Sequence, residues 1–252
     1  MESLQAGYTE VWAASQNLPL ARFAQRVRSI ASTGLDMLEF NANQQLMQEL
    51  RGFDSIVSWY GTNRPEFRAC VKDLPFEFFT AIPPDDCGMH AADYFAAQAG
   101  APFAPAIPRV HCSSGGCSSG GCSRGDGGFA VIHPFSGSPK KCWPLDRYQA
   151  LARVIEPHMP VRWCAGPEEP LPDAVRIADL YELACWLATA RIYVGNDSGI
   201  THLAAAVGTP AVALFGPTDP RMWAPRGPQV RVIAKPALEE ITVDEVVAAV
   251  LC

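Results

Sequence analysis

Charge is scarce in this chain. Only 18% of its 252 residues are Asp, Glu, Lys or Arg, and acids outnumber bases 26 to 20, for a net charge of −6. The basic excess of a nucleic-acid-binding surface is missing, so nucleic acid is not an expected partner. Long apolar runs are missing as well: none reaches the roughly 18 residues of a membrane-spanning helix. Met1-Glu2-Ser3-Leu4-Gln5 has neither a basic n-region nor an apolar h-region. No signal peptide is therefore expected, and the protein reads as cytoplasmic. No amphipathic basic helix stands out as an anchor, which limits membrane contact to a peripheral one at the inner face of the cytoplasmic membrane. No Asp-x-Asp occurs to hold a metal, and neither a metal nor another cofactor is expected.

What is present suits a soluble enzyme. Hydrophobic residues make up 48% of the chain, enough for a core of ordinary size. Six of the nine cysteines (Cys70, Cys87, Cys142, Cys164, Cys185 and Cys252) are scattered and read as small buried hydrophobes of a reduced protein. The other three, Cys112, Cys117 and Cys122, fall in a pentad repeat of Cys-Ser-Ser-Gly-Gly type. Three thiols with four residues between successive ones do not make the four-ligand, tightly spaced pattern of a zinc site. The repeat reads as a Ser/Gly-rich linker over residues 109–128, between α/β halves at 1–108 and 129–252.

The second half carries three strands that each run into a polar loop. Val131-Ile132-His133 leads into Pro134-Phe135-Ser136-Gly137-Ser138-Pro139-Lys140-Lys141 and then a helix over 145–155. The Ser136 hydroxyl and Gly137 amide can donate to a phosphate, and Lys141 can bring it a point charge. Val161 to Ala165 leads into Gly166-Pro167-Glu168-Glu169-Pro170, and a carboxylate past a strand end is placed for ribose hydroxyls. Arg191 to Val194 leads into Gly195-Asn196-Asp197-Ser198-Gly199 and a helix over 200–207, which Asp197 or Ser198 can cap and Gly208 and Pro210 stop. The unpaired amides and positive dipole end of that helix make a natural seat for a diphosphate. A further buried-type strand spans 210–215.

These loops, with His202-Leu203-Ala204-Ala205, Gly208-Thr209-Pro210, Phe215-Gly216-Pro217-Thr218-Asp219-Pro220 and Trp223-Pro225, resemble glycosyltransferase family 9, the ADP-heptose:lipopolysaccharide heptosyltransferases, over His133 to Pro225. The resemblance implies an α/β fold of GT-B type. Two Rossmann-like domains face a cleft, the donor bound mainly by the second and the acceptor by the first. It implies that Ser136, Gly137 and Lys141 face the donor diphosphate, Lys141 stabilising the leaving group. Glu168 or Glu169 would face the ribose, and Asp197, Ser198, Gly199 and His202 would line the diphosphate and sugar. Like charges repel, so the Asp197 carboxylate suits sugar hydroxyls and the helix cap rather than phosphate. The implied partners are an ADP-sugar, ADP-heptose first, and a saccharide or lipid-linked acceptor of lipopolysaccharide-core type, acted on by a monomer with inversion.

The first half reads as alternating strands and helices: strands near 9–14, 55–60 and 76–82, and helices near 18–31, 43–50, 65–74 and 89–99. His90 reads as a capping or surface residue. Family members open with a strand and a Gly-Asp loop whose Asp serves as general base. No such loop follows an apolar strand before residue 108, so the first domain reads as lacking its first strand and helix, with the base expected upstream of Met1. Asp36, Asp54 and Asp93 are candidates by residue type only. Two other functions fit: a non-catalytic nucleotide-sugar-binding remnant, and a GT-B-like sugar-nucleotide epimerase.

Overall fold

The structure, a computed structural model, describes residues 6–100, 105–112 and 128–251. Cys117 and Cys122, with most of the expected linker, lie outside the described residues. The chain divides into two compact units, Met1–Ala106 and Ile107–Cys252. Each is α/β with parallel strands, the strand class of a GT-B fold.

The second unit is built on a five-stranded parallel sheet. Its elements in chain order are β5 (Ala130–His133), α5 (Leu145–Ile155), β6 (Val161–Trp163), α6 (Leu180–Leu187), β7 (Ile192–Asn196), α7 (Gly199–Ala206), β8 (Ala211–Phe215), α8 (Pro220–Trp223), β9 (Val230–Ala234) and α9 (Val243–Leu251). The strand order is β6-β5-β7-β8-β9. Every residue of β5, β7 and β8 is buried, which is why these segments read as continuous apolar runs instead of alternating ones. Trp143 and α5 (Tyr148, Leu151, Ile155) close one face together with Val246 and Val250 of α9, over Ile132, Val194, Val212 and Leu214. Each large side chain so buried is worth about 1.5–3 kcal/mol over exposure. Gly208 at φ 83° ends α7 in the left-handed region that a side chain avoids.

In a doubly wound sheet the chain leaves the first strand to one side, then returns to the other. Here it passes from β5 to β6 and then back across to β7, so the loops after β5 and β7 diverge. The gap between them, at the carboxyl edge, is where such sheets take ligands.

The first unit holds two separate two-stranded parallel sheets: β1 (Glu10–Ala13) with β2 (Arg26–Ser29), and β3 (Ile56–Ser58) with β4 (Phe76–Phe78). Its helices are α1 (Ile30–Thr33), α2 (Gln44–Leu50), α3 (Pro65–Cys70) and α4 (Ala91–Gln98). Leu35, Leu38, Leu46, Leu50, Phe67, Val71 and Leu74 form one core, on which Trp12 of β1 and Ile56 of β3 also pack.

The helix expected over 18–31 does not form. Ser15–Leu20 is a 3₁₀ turn containing Pro19, and β2 then pairs with β1. Arg26 and Arg28 point to one side, as alternation requires, and reach Glu10 and Glu49, while the Arg28 guanidinium lies 4.8 Å from the Trp12 ring centre. Strand pairing and these contacts outweigh a helical apolar spacing that had no buried face to serve. The expected elements at 65–74, 76–82 and 89–99 also shorten. His90 stands just outside α4 as its cap, its Nδ1 accepting from the Ala92 amide at 3.1 Å.

Candidate functional site

Loops after β5 and β7 meet in a hollow of about 420 Å³ lined by Ser136, Gly137, Ser138, Lys141, Asp197, Ser198, Gly199 and His202. Seven of the eight residues singled out from the sequence are therefore brought together. The eighth, Glu168, is exposed on the loop after β6 and is not part of this lining.

The β7 side is built by local hydrogen bonding. The Ser198 hydroxyl, not the Asp197 carboxylate, caps α7 by accepting from the Thr201 amide, which settles the two capping alternatives against Asp197. The amides of Gly199 and Ile200 lie ahead of the helix's first backbone bond, from His202 N–H to Ser198 O. Thr201 is fully buried; its hydroxyl donates to Asn196 O and lies 3.1 Å from the Tyr193 hydroxyl. That last contact requires Gly195: a Cβ there would stand 2.4 Å from the Tyr193 hydroxyl oxygen.

The Asp197 carboxylate, whose side chain is 10% exposed, takes an ion pair from Lys141 Nζ at 2.7 Å. The Ser136 hydroxyl donates to Asp197 O at 2.7 Å. These two contacts lock the loop after β5 onto the loop after β7. The Lys141 side chain remains about one-third exposed and lines the hollow, so an anion entering it meets a positioned cation.

Sequence reasoning missed two residues that hold this arrangement. Asn196 is completely buried. Its Oδ1 accepts from the Trp143 amide and the Tyr148 hydroxyl, both at 2.9 Å, and its Nδ2 donates to Pro134 O at 2.8 Å. One side chain thus pins both ends of the loop that carries Ser136, Gly137 and Lys141. The available signal was a polar amide closing an apolar strand just after a glycine.

The other is His133, 4% exposed, at the end of β5. Its Nε2 lies 3.3 Å from Glu169 Oε2. Burial lowers its pKa from the ordinary 6.5, against the opposing pull of Glu169. The unfolded histidine protonates more readily than the folded one. The stability it contributes is therefore complete above about pH 6.5 and is lost as pH falls through the lowered folded value. The urea midpoint of the native protein is expected to fall more steeply from pH 7 to 5 than that of His133→Gln. Parallel pH profiles for the two would refute this.

The ribose alternatives also differ in geometry. Glu169 Oε2 accepts from its own loop's Gly166 amide at 2.5 Å besides meeting His133. Glu168 is the exposed one of the pair. Among the described residues, no group of three or more His, Cys, Asp or Glu side chains is placed to hold a metal ion.

Comparison with known proteins adds a family. Residues 122–246 match the family model for glycosyltransferase family 9 (heptosyltransferase). Lipooligosaccharide heptosyltransferase 2 of Haemophilus influenzae is 29% identical over 113 residues, 38% of this chain and 33% of that protein. Lipopolysaccharide heptosyltransferase 3 of Escherichia coli is 27% identical over 114 residues, 38% of this chain and 34% of that protein. The chain thus matches about a third of the length of these curated relatives. In fold it is similar to the E. coli ADP-heptose lps heptosyltransferase II, at TM-score 0.74 and 18% identity, over 97% of this chain and 88% of that one. E. coli heptosyltransferase WaaC with ADP matches at TM-score 0.66 and 16% identity, over 93% and 87%.

Proposed function

Since residues 122–246 belong to glycosyltransferase family 9, we propose that the second unit binds a nucleotide-diphosphate sugar and serves inverting glycosyl transfer, with ADP-heptose as the donor to test first. The observation that carries this reading is the hollow at the switch point of the sheet. It combines a helix N-terminus, a lysine, and hydroxyl and amide donors on two loops locked together.

In this reading the diphosphate sits against the first-turn amides of α7 and draws Lys141 away from Asp197. Ser136 and Gly137 donate to it from the facing loop. Asp197, relieved of its lysine, accepts from sugar hydroxyls, and Glu168 accepts from the ribose. When the acceptor hydroxyl attacks the anomeric carbon, a general base takes its proton and the bond to the diphosphate breaks. The charge left on the diphosphate then falls on donors already in position. The acceptor is a saccharide of lipopolysaccharide-core type.

Titration calorimetry of the protein with ADP tests the reading. Lys141→Ala is expected to weaken ADP by about 10- to 100-fold, the scale of a charge-assisted contact at 1.5–3 kcal/mol. Asp197→Asn is expected to weaken it far less. No binding at millimolar ADP, or no effect of Lys141→Ala, would sink the assignment. A nucleotide-sugar-binding protein without transfer would pass this test and is separated by the transfer assay described below.

A further inference from the structure

We propose that His133 and Glu169 form a buried clamp that fixes the loop after β6, and that both act as positioning residues for Glu168 instead of meeting the donor themselves. The ribose part of this rests on the donor reading above; the clamp itself does not.

The loop has little regular structure to hold it. Its backbone bonds are a turn of its own, Glu169 N–H to Gly166 O at 3.3 Å and Leu171 N–H to Glu169 O at 2.9 Å. Arg176 adds Nη2 contacts of 2.8 Å to Glu169 O and Leu171 O. The side chain of Glu169 turns inward against this small ring. One oxygen, Oε2, takes both the Gly166 amide and the His133 Nε2. His133 belongs to β5, whose four residues are all buried and which pairs with both β6 and β7. The clamp therefore ties an exposed loop to the rigid middle of the sheet.

The chemistry of the pair assigns the proton. A carboxylate offers only acceptors, so His133 Nε2 must carry the hydrogen toward Glu169. A neutral imidazole then has its lone pair on Nδ1, and that buried atom has no partner among the described residues. An unmet buried acceptor is costly, and the contact to Glu169 stands against that cost. Cys142, Cys164, Tyr193 and Arg176 are the other titratable groups electrostatically tied to this cluster; burial pushes the Cys164 thiol up to about 12 and Tyr193 higher still, leaving both neutral. Glu169 is thus spoken for by the loop and the sheet, and its neighbour Glu168 is left outward.

Two measurements test the clamp. Amide hydrogen exchange at Gly166, without nucleotide, reads it directly. His133→Ala and Glu169→Ala are expected to speed that exchange about tenfold or more, the effect of losing one hydrogen bond to a charged group. His133→Gln, whose Nε2 amide reaches the same point, is expected to restore slow exchange. Unchanged exchange in His133→Ala, or no rescue by His133→Gln, overturns the clamp whether or not nucleotide binds. Calorimetry then compares ADP, ADP lacking both ribose hydroxyls, and inorganic pyrophosphate. The native protein is expected to prefer ADP over the deoxygenated form. His133→Ala is expected to lose that preference and keep its pyrophosphate affinity, and His133→Gln to regain the preference. Pyrophosphate affinity lost in step with the preference would show a general structural role and overturn the positioning assignment. A native protein that binds neither ADP nor pyrophosphate defeats the donor reading, and the exchange data alone then decide the clamp.

Discussion

Asn196→Ala is expected to destabilise the second unit by about 3–5 kcal/mol, against a typical total of about 5–15 kcal/mol for a domain. Nothing else among the described contacts replaces what this side chain does. Its loss strands the Trp143 amide, the Tyr148 hydroxyl and the Pro134 carbonyl, all in the buried interior. Each unmet group costs about 1–3 kcal/mol, and the sum falls short of additive because the three share one cavity and relax together. Asn196→Asp separates the hydrogen bonds from the volume. It keeps the acceptor for Trp143 and Tyr148 but turns an oxygen toward the Pro134 carbonyl and buries a charge, so it too is expected to be strongly destabilising. Urea denaturation with an unchanged slope and a lowered midpoint is the measurement. A loss under about 1 kcal/mol for Asn196→Ala would mean that water fills the gap and restores all three bonds.

The second large effect is on transfer. The 252-residue chain is expected to bind donor yet transfer about 10²- to 10⁴-fold more slowly than a relative with its general base in place, the usual worth of that group. The three aspartates considered from the sequence are poorly sited for the role. Asp54 precedes β3, at the amino edge of that strand and not the carboxyl edge. Asp93 lies within α4 and accepts from the Ala106 amide at 2.9 Å. Asp36 sits in the 3₁₀ turn Leu35–Met37 with Oδ1 buried. Addition of a strand–loop–helix segment bearing a Gly-Asp loop is expected to raise transfer by the same factor. The assay uses ADP-heptose and a lipopolysaccharide-core acceptor on both proteins. Full turnover by the 252-residue chain would place the base within it.

How much of this was legible in the residues differs between the halves. In the second unit, strands buried on both faces leave apolar runs that only a parallel sheet explains, and Pro, Gly and Ser mark their ends. The helix expected at 145–155 matches α5 residue for residue. In the first unit the strands are three or four residues long and half-exposed. Residues 18–31 carry apolar spacing that suits a helix, but the charges of Arg26 and Arg28 find partners only when that segment pairs with β1. At the site, residue type and loop position identified seven of the eight residues lining the hollow, all but Ser138. They could not separate neighbours: Asp197 from Ser198 as the cap, or Glu168 from Glu169 on the loop after β6. Those choices turn on which side chain the surrounding fold has already engaged. Asn196 and His133 escaped notice for the related reason that a polar residue closing an apolar strand looks like the start of a loop.

The Lys141–Asp197 pair bears on how fast an anion is captured. A cation already neutralised by a carboxylate 2.7 Å away projects little field into solvent, and the protein as a whole carries −6. Long-range steering of an anion toward this hollow is therefore weak, and nucleotide association is expected to gain little from lowered ionic strength. On the proposed donor reading, discrimination comes after contact, as an exchange of ion pairs. A diphosphate that takes Lys141 leaves Asp197 without its counter-charge, and only a ligand bringing hydroxyls along with its phosphates makes good that loss. Free phosphate, abundant in any cell, completes half of the exchange and is a poor competitor for the seat.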